Sequence, residues 1–493
     1  MTTLAALALA AFSAVHADAA SPRRDTALEN DLLAHIRILA SDDFEGREPG
    51  TDGEAKTLRY LGKQWFDIGL VSGTNDPGHP WFAPVTLVAR EPADSAAMFT
   101  RKGRRLYVPR GAVMMLTSGK RTLVENAPLL FVGRADKTVS LARSELAGRV
   151  AVLLDGDVRD SERQNALLKA GASGVLTVLD GDRTLEQVAA RRRRSGYALA
   201  SDMLGGDLEG FITAETFDRL AVAAGTSLAQ LSVAAADPGF VPRPIDLLAT
   251  LEATTRETTI RTYNLVGKLE GRHPEAGAVL FLAHWDHFGQ CAEAPAEHLI
   301  CNGAVDNASG IAALTEVARR LSKNPQMERD VYFLATTSEE LGLLGAEAFA
   351  ENPPLPLKQI VAAFNIDSIA IAPVGTPLAI VGRGMTRLDG QIAAVAKQQK
   401  RVLVSGDAAN AYVKRQDGWA LLQHDVPAVM VTSAYGNVGM LEHFFETDYH
   451  RPTDVVKSGL ELGGAAEDVA FLVALGRWFA DPRRVPAAKP VPR

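Results

Sequence analysis

Polar and apolar positions along this chain follow two different periods. Near the start, Leu28, Leu32, Ile36 and Leu39 recur every three or four residues behind Asp25, which predicts a helix. After the loop DDFEGREPG, Thr51 and Glu54 read as a capping box. Ala55, Leu58, Leu61, Trp65 and Ile68 continue that second helix, which ends before Gly69. From about Thr258 the pattern becomes a regular alternation. AVLFLA (278–283), DVYFLATT (330–337), QIVAAFNID, PLAIVG and PAVMVTS predict strands. NASGIAALTEVARRL and SEELGLLGAEAFA predict helices, and a last helix spans about Leu462 to Ala480. The strand runs are apolar throughout, as in strands buried on both faces. The expected fold is α/β: a mixed sheet, mostly parallel at its centre, covered by helices on both faces.

Between about Val85 and Asp246 the texture differs. Short β-rich runs (LYVP, PLLFVG, GRVAVLLDG, SGVLTVLDG) surround one helical stretch, SERQNALLKAGAS, and predict a small inserted α/β domain. The expected organisation is a leader at 1–20, a larger domain at 21–85 and 246–485, an insert at 86–245, and a disordered tail at 486–493. The run Arg191–Arg194 reads as a solvated loop.

Composition narrows the function classes. Apolar residues make up 47% and charged residues 23%, which excludes bulk disorder. Lys plus Arg is 52 and Asp plus Glu is 59, a net charge of −7 and no electrostatic footprint for nucleic acid. MTTLAALALAAFSAVHADAA at 1–20 has the apolar run and small-residue site of a secretory signal, without a leading Lys or Arg. No later stretch reaches the ~18 apolar residues that a membrane span needs. A periplasmic or secreted location is expected. Cys291 and Cys301 lie ten positions apart. They could close their loop as a disulfide in an exported chain, or stand as two reduced thiols.

In open α/β sheets, ligands bind beyond the carboxyl ends of the strands. The residues following the apolar runs are therefore the candidates. His284, Trp285, Asp286 and His287 follow the first; Ser338, Glu339 and Glu340 follow the second; Asp367 follows the third. Asp306 lies in the loop GAVDNASG, and HFFETDYHRPTD supplies His450. Each is commonplace alone: Asp306 as part of an N-cap region, the Glu pair as favourable charge at a helix start. Together, His284, Asp306, Glu340, Asp367 and His450 make a set of good Zn²⁺ ligands suited to two divalent ions sharing a carboxylate. Glu339, beside Glu340, is then placed to act as general base.

The strings HWDHFG, NGAVDNASG, TTSEELGLLG, FNID and YHRPTD resemble the di-zinc aminopeptidase family that includes bacterial leucyl aminopeptidase and yeast aminopeptidase Y, a clan MH metallopeptidase group. GREPGTDGEAKTLRYLGKQWFDIGL is similar to that family's opening segment, and ELAGRVAVLLDGD with NALLKAGASGVLTVLD resembles a protease-associated domain. The resemblance implies a zinc exopeptidase fold and an aminopeptidase acting on peptides with two Zn²⁺. In it, His284 and Asp367 bind one zinc, Glu340 and His450 the other, and Asp306 bridges. Glu339 is the general base, and Asp286 hydrogen-bonds the far nitrogen of His284. His287 has no ligand role, only a loop-ordering hydrogen bond. Tyr412 is a candidate oxyanion donor. One departure stands out: relatives often carry Arg-Ser-Asp-His where this chain has Arg415, Gln416, Asp417 and Gly418. Two other readings belong with this one: a glutaminyl-peptide cyclase with a single zinc, and a non-catalytic peptidase-like binding protein.

Overall fold

The computed structural model describes residues 24–486 except 135–140, 157–159, 182, 195 and 203–205. The expected leader lies outside the described residues, as does the expected tail but for Pro486. At the centre stand four parallel strands, in the order Ala428–Thr432, Ile360–Asn365, Ala278–His284, Asp330–Thr336. Ala379–Val381 and the long strand Arg243–Leu269 add antiparallel edges.

Alternation within the central strand explains its unbroken apolar run. Val279, Phe281 and Ala283 enter one core, while Ala278, Leu280 and Leu282 enter another. The first core lies under the helices Thr26–Leu39, Asp52–Ile68, Gly310–Ser322 and Gly463–Phe479. The second lies under Leu344–Glu351 and Gly418–Gln423. Helices therefore cover both faces of a mixed sheet. Each large apolar side chain removed from water here contributes about 1.5–3 kcal/mol.

The strand Arg243–Leu269 runs beyond this core and pairs along its length with Phe82–Arg101. That ribbon carries the sheet into a second unit, through Arg121–Arg134, Val150–Leu154, Gly174–Val178, Leu208–Ile212 and Val113–Thr117. Among the described residues one 15-stranded sheet results, with a separate core around Phe99, Phe131, Leu176, Ile212 and Phe217. Neither long strand is evident from the sequence, because both are half-exposed and broken by charged residues.

Four local expectations need correction. Thr51 forms no capping box: its hydroxyl donates to the Glu48 carbonyl, and Glu54 accepts from the Gly50 N–H. Tyr107 and its neighbours in LYVP form no strand. The run Arg191–Arg194 closes a helix, Leu185–Arg194. The helix expected from Ser338 begins only at Leu344, so Glu339 and Glu340 sit in the turn before it. By contrast, the first expected helix forms over Thr26–Leu39, and Asp25 caps it by accepting from the Leu28 N–H at 3.1 Å.

Among the described residues no single helix is long and apolar enough to cross a membrane.

Candidate metal centre

Strand register brings the first three groups together. His284 stands opposite Thr336, three residues before Glu339, and Leu282 stands opposite Asn365, two residues before Asp367. The chain leaves Ala278–His284 for a neighbour on one side and later returns to the other, so these strand ends flank a switch point.

Asp306 lies at the centre of the cluster. Its Oδ1 is 3.3 Å from His284 Nε2, and its Oδ2 is 3.3 Å from His450 Nε2. Asp367 approaches His284 Nε2 at 3.6 Å, Glu339 approaches it at 4.0 Å, and Glu340 lies 3.0 Å from His450 Nε2. The structure thus gathers all six side chains around two imidazole nitrogens. Both Nε2 atoms are buried without a hydrogen-bond partner. Two bare ring nitrogens facing carboxylates form a donor set that fits divalent cations. Three overlapping groups could hold an ion: His284 with Asp306 and Asp367, His284 with Glu339 and Glu340, and His287 with Asp306 and Glu340.

Electrostatics follow from burial. Desolvation opposes a charged His284, yet Glu339, Asp306 and Asp367 outweigh it and push its pKa well above the usual imidazole range. Burial, with Glu340 and Asp367 nearby, pushes the Glu339 carboxyl well up, although His284 opposes the shift. Burial also opposes ionisation of Asp306, but His284 and His450 hold it well below the ordinary carboxylate range.

Asp286 meets the far nitrogen of His284, as the sequence suggests, but through its main chain. His284 Nδ1 lies 3.1 Å from the Asp286 main-chain carbonyl and 3.8 Å from its carboxylate. A carbonyl can only accept, so Nδ1 carries a proton, which leaves Nε2 as the nitrogen that a cation would take in place of a proton. The Asp286 carboxylate instead accepts from the Glu339 N–H at 3.1 Å and the Glu340 N–H at 3.4 Å. His287 meets Glu340 directly, with Nδ1 2.5 Å from Oε1.

Other residues support the cluster, and of these only Asp417 and Tyr412 figure in the sequence reading. Asp454, in the YHRPTD string, accepts from the main-chain N–H groups of Val305 and Asp306 at 2.9 and 3.0 Å. Asn307 donates to the Ile366 carbonyl and accepts from the Ser368 N–H, tying the Asp306 segment to the Asp367 segment. Arg47 is 1% exposed and donates to the carbonyls of Leu39, Trp285, Asn302 and Gly303. Burial lowers its pKa to about 10, against the pull of Asp454, Asp286 and Asp306. Buried Asp417 accepts from the Thr336 hydroxyl, and its pKa rises to about 6 through desolvation. Tyr449 stacks on His450 with ring centroids 3.6 Å apart. Tyr412 packs on Tyr435 and Phe445. A signal for Asp454 was legible, since it lies four residues after His450; nothing local marks Asp417 or Arg47 as buried.

A cleft of about 690 Å³ opens beside His287, Glu340 and His450. Cys291 and Cys301, paired in a disulfide with Cα atoms 5.6 Å apart, brace the loop at its rim.

Residues 264–471 match the model of Peptidase family M28. An alkaline phosphatase isozyme conversion protein from Escherichia coli is 30% identical over 128 residues, which are 24% of this chain and 36% of the relative. A vacuolar membrane protease from Vanderwaltozyma polyspora is 36% identical over 89 residues, 18% of this chain and 8% of the relative. The matches thus span about a third or less of those relatives' lengths. Among solved structures, an aminopeptidase from Aneurinibacillus sp. strain AM-1 has the same fold, with a TM-score of 0.55 and 19% identity. That likeness covers 92% of this chain and 93% of the other.

Proposed function

We propose that this chain, with its match to peptidase family M28 as the starting point, is a zinc-dependent aminopeptidase that removes residues from the N-terminus of peptides. The observation that carries this reading is the Asp306 carboxylate, with one oxygen 3.3 Å from each of two bare imidazole nitrogens. His284 and Asp367 would hold one zinc ion, Glu340 and His450 a second, and Asp306 would be shared. When bound, the cations supply Lewis acidity that polarises the scissile carbonyl and makes the attacking water more acidic.

The chain's own residues do the rest. Glu339 takes a proton from the attacking water and returns it to the leaving amine nitrogen. The Asp286 carboxylate holds the Glu339–Glu340 turn, and the Asp286 carbonyl fixes the tautomer of His284. His287 orients the Glu340 carboxylate, and the Tyr449 ring restrains that of His450. The residues lining the adjoining cleft include three carboxylates and no Lys or Arg. That charge favours a peptide's ammonium end over its carboxylate end. The signal-like residues 1–20 and the Cys291–Cys301 disulfide support export. The second unit would then be a protease-associated domain spanning 86–245.

Aminoacyl p-nitroanilides test the reading. Hydrolysis should vanish after dialysis against a chelator, return with zinc, and fail on N-acetylated substrates. Full turnover by protein shown to be metal-free would overturn it.

A further inference from the structure

The cleft beside Glu340 and His450 has a wall made by residues outside the metal cluster. Glu48, Tyr197, Ile260 and Glu293 line it. Glu48 stands on a rigid support: it follows Arg47, whose guanidinium is locked by four carbonyls, and its own carbonyl accepts from the Thr51 hydroxyl. Its side chain lies against Gly289, at φ +61, where a Cβ would fall 2.4 Å from Glu48 Oε2. The glycine thus leaves the room that the carboxylate occupies. Among the described residues no ion-pair or hydrogen-bond partner is found for that carboxylate, and partial burial alone pushes its pKa up.

The opposite side of the wall comes from the second unit. Tyr197 opens the short strand Tyr197–Leu199, which pairs with Leu87–Ala89 of the long ribbon. Tyr197 and Glu48 line the same cleft, and the Tyr197 hydroxyl feels the charge of Glu48. The wall therefore offers an aromatic ring, the aliphatic Ile260 and an unpaired carboxylate, with no Lys or Arg among the lining residues. A long side chain with an apolar stem and a charged head matches that order of surfaces.

We propose that this cleft selects a Lys or Arg side chain next to the scissile bond, with its methylene stem on Tyr197 and Ile260 and its cationic head against Glu48. The inference rests on the aminopeptidase reading and assigns that reading its substrate class. A neutral side chain gains only the apolar contact. An acidic one meets Glu48 and Glu293 as like charges.

The experiment measures kcat/KM of the zinc-loaded full chain on Xaa-p-nitroanilides and on Ala-Xaa dipeptides, with Xaa as Lys, Arg, Ala, Leu or Glu. At one of the two positions Lys and Arg should exceed Ala by about tenfold or more, a ratio that shrinks as salt is raised. Glu48→Gln should bring that ratio close to one, and Glu48→Lys should turn the preference towards Glu. Zinc content and melting temperature of each variant separate these effects from misfolding. A preference for Leu over Lys at both positions would overturn the proposal. So would an equal loss on all substrates in Glu48→Gln, which would assign that carboxylate to the α-ammonium instead. Absence of chelator-sensitive hydrolysis on every substrate would sink the aminopeptidase reading itself, a different result from hydrolysis without basic preference.

Discussion

Asp454 holds Asp306 by its backbone: the Asp454 carboxylate accepts the Asp306 N–H at 3.0 Å and the neighbouring Val305 N–H at 2.9 Å. The shared carboxylate of the cluster is thus aimed by a residue that touches neither imidazole. Asp454→Asn keeps the shape but offers one acceptor oxygen where two are needed. Zinc affinity should fall by about ten- to a hundredfold, the range for residues that orient metal ligands. Competition with a chromophoric chelator measures it, and unchanged affinity would refute the tether.

Glu339 lies beside the donor set without being needed to complete it. Glu339→Gln should therefore retain zinc and lose roughly three powers of ten in kcat, since it removes the group that moves the proton. Metal analysis and steady-state kinetics on the same sample decide the matter. Near-normal turnover in metal-loaded protein would remove Glu339 from the mechanism.

Arg47 satisfies four carbonyls that water cannot reach. Lysine keeps the charge but cannot spread five fixed donors over that cage. Arg47→Lys should cost about 3 kcal/mol of stability, because buried acceptors lose their partners. The urea midpoint of the metal-free protein measures the cost; a change below about 0.5 kcal/mol would contradict the anchoring role.

Asp468 carries a pH dependence away from the cluster. It is buried and accepts from Thr432, from the Ser433 hydroxyl and from the Ser433 N–H. Desolvation raises its pKa from 3.8 to about 6. A carboxyl raised in the folded state binds its proton more tightly there than in the unfolded chain. Its contribution to stability is therefore largest below pH 4 and is lost as pH rises through about 6. Wild type should lose about 2–3 kcal/mol relative to Asp468→Asn between pH 4 and pH 7. Urea unfolding of chelator-treated protein across that range tests the sign, and parallel curves would disprove it.

Much of this was readable from the chain alone, and the reason is locality. A strand buried on both faces must be apolar at every position, so Ala278–His284 declares both its existence and its end. Polar residues after such a run can lie only at the sheet's carboxyl edge, which is why His284, Glu339, Glu340 and Asp367 stood out before any coordinates. Asp25 marks a helix start through its side-chain carboxylate, and Gly69 marks a helix end through its positive φ. Tertiary packing decided everything that depends on direction rather than position. Whether Asp286 would serve His284 through its carbonyl or its carboxylate, and that His287 would grip Glu340, followed from how two strand ends meet. Arg47 became a buried anchor because loops more than 200 residues away close over it. Tyr197 reached the cleft because a half-exposed ribbon, written with no clear period, carries the second unit back to the first. Periodicity reports each residue's own exposure; only the folded chain sets which distant partner an oxygen, a ring nitrogen or a carboxylate will face.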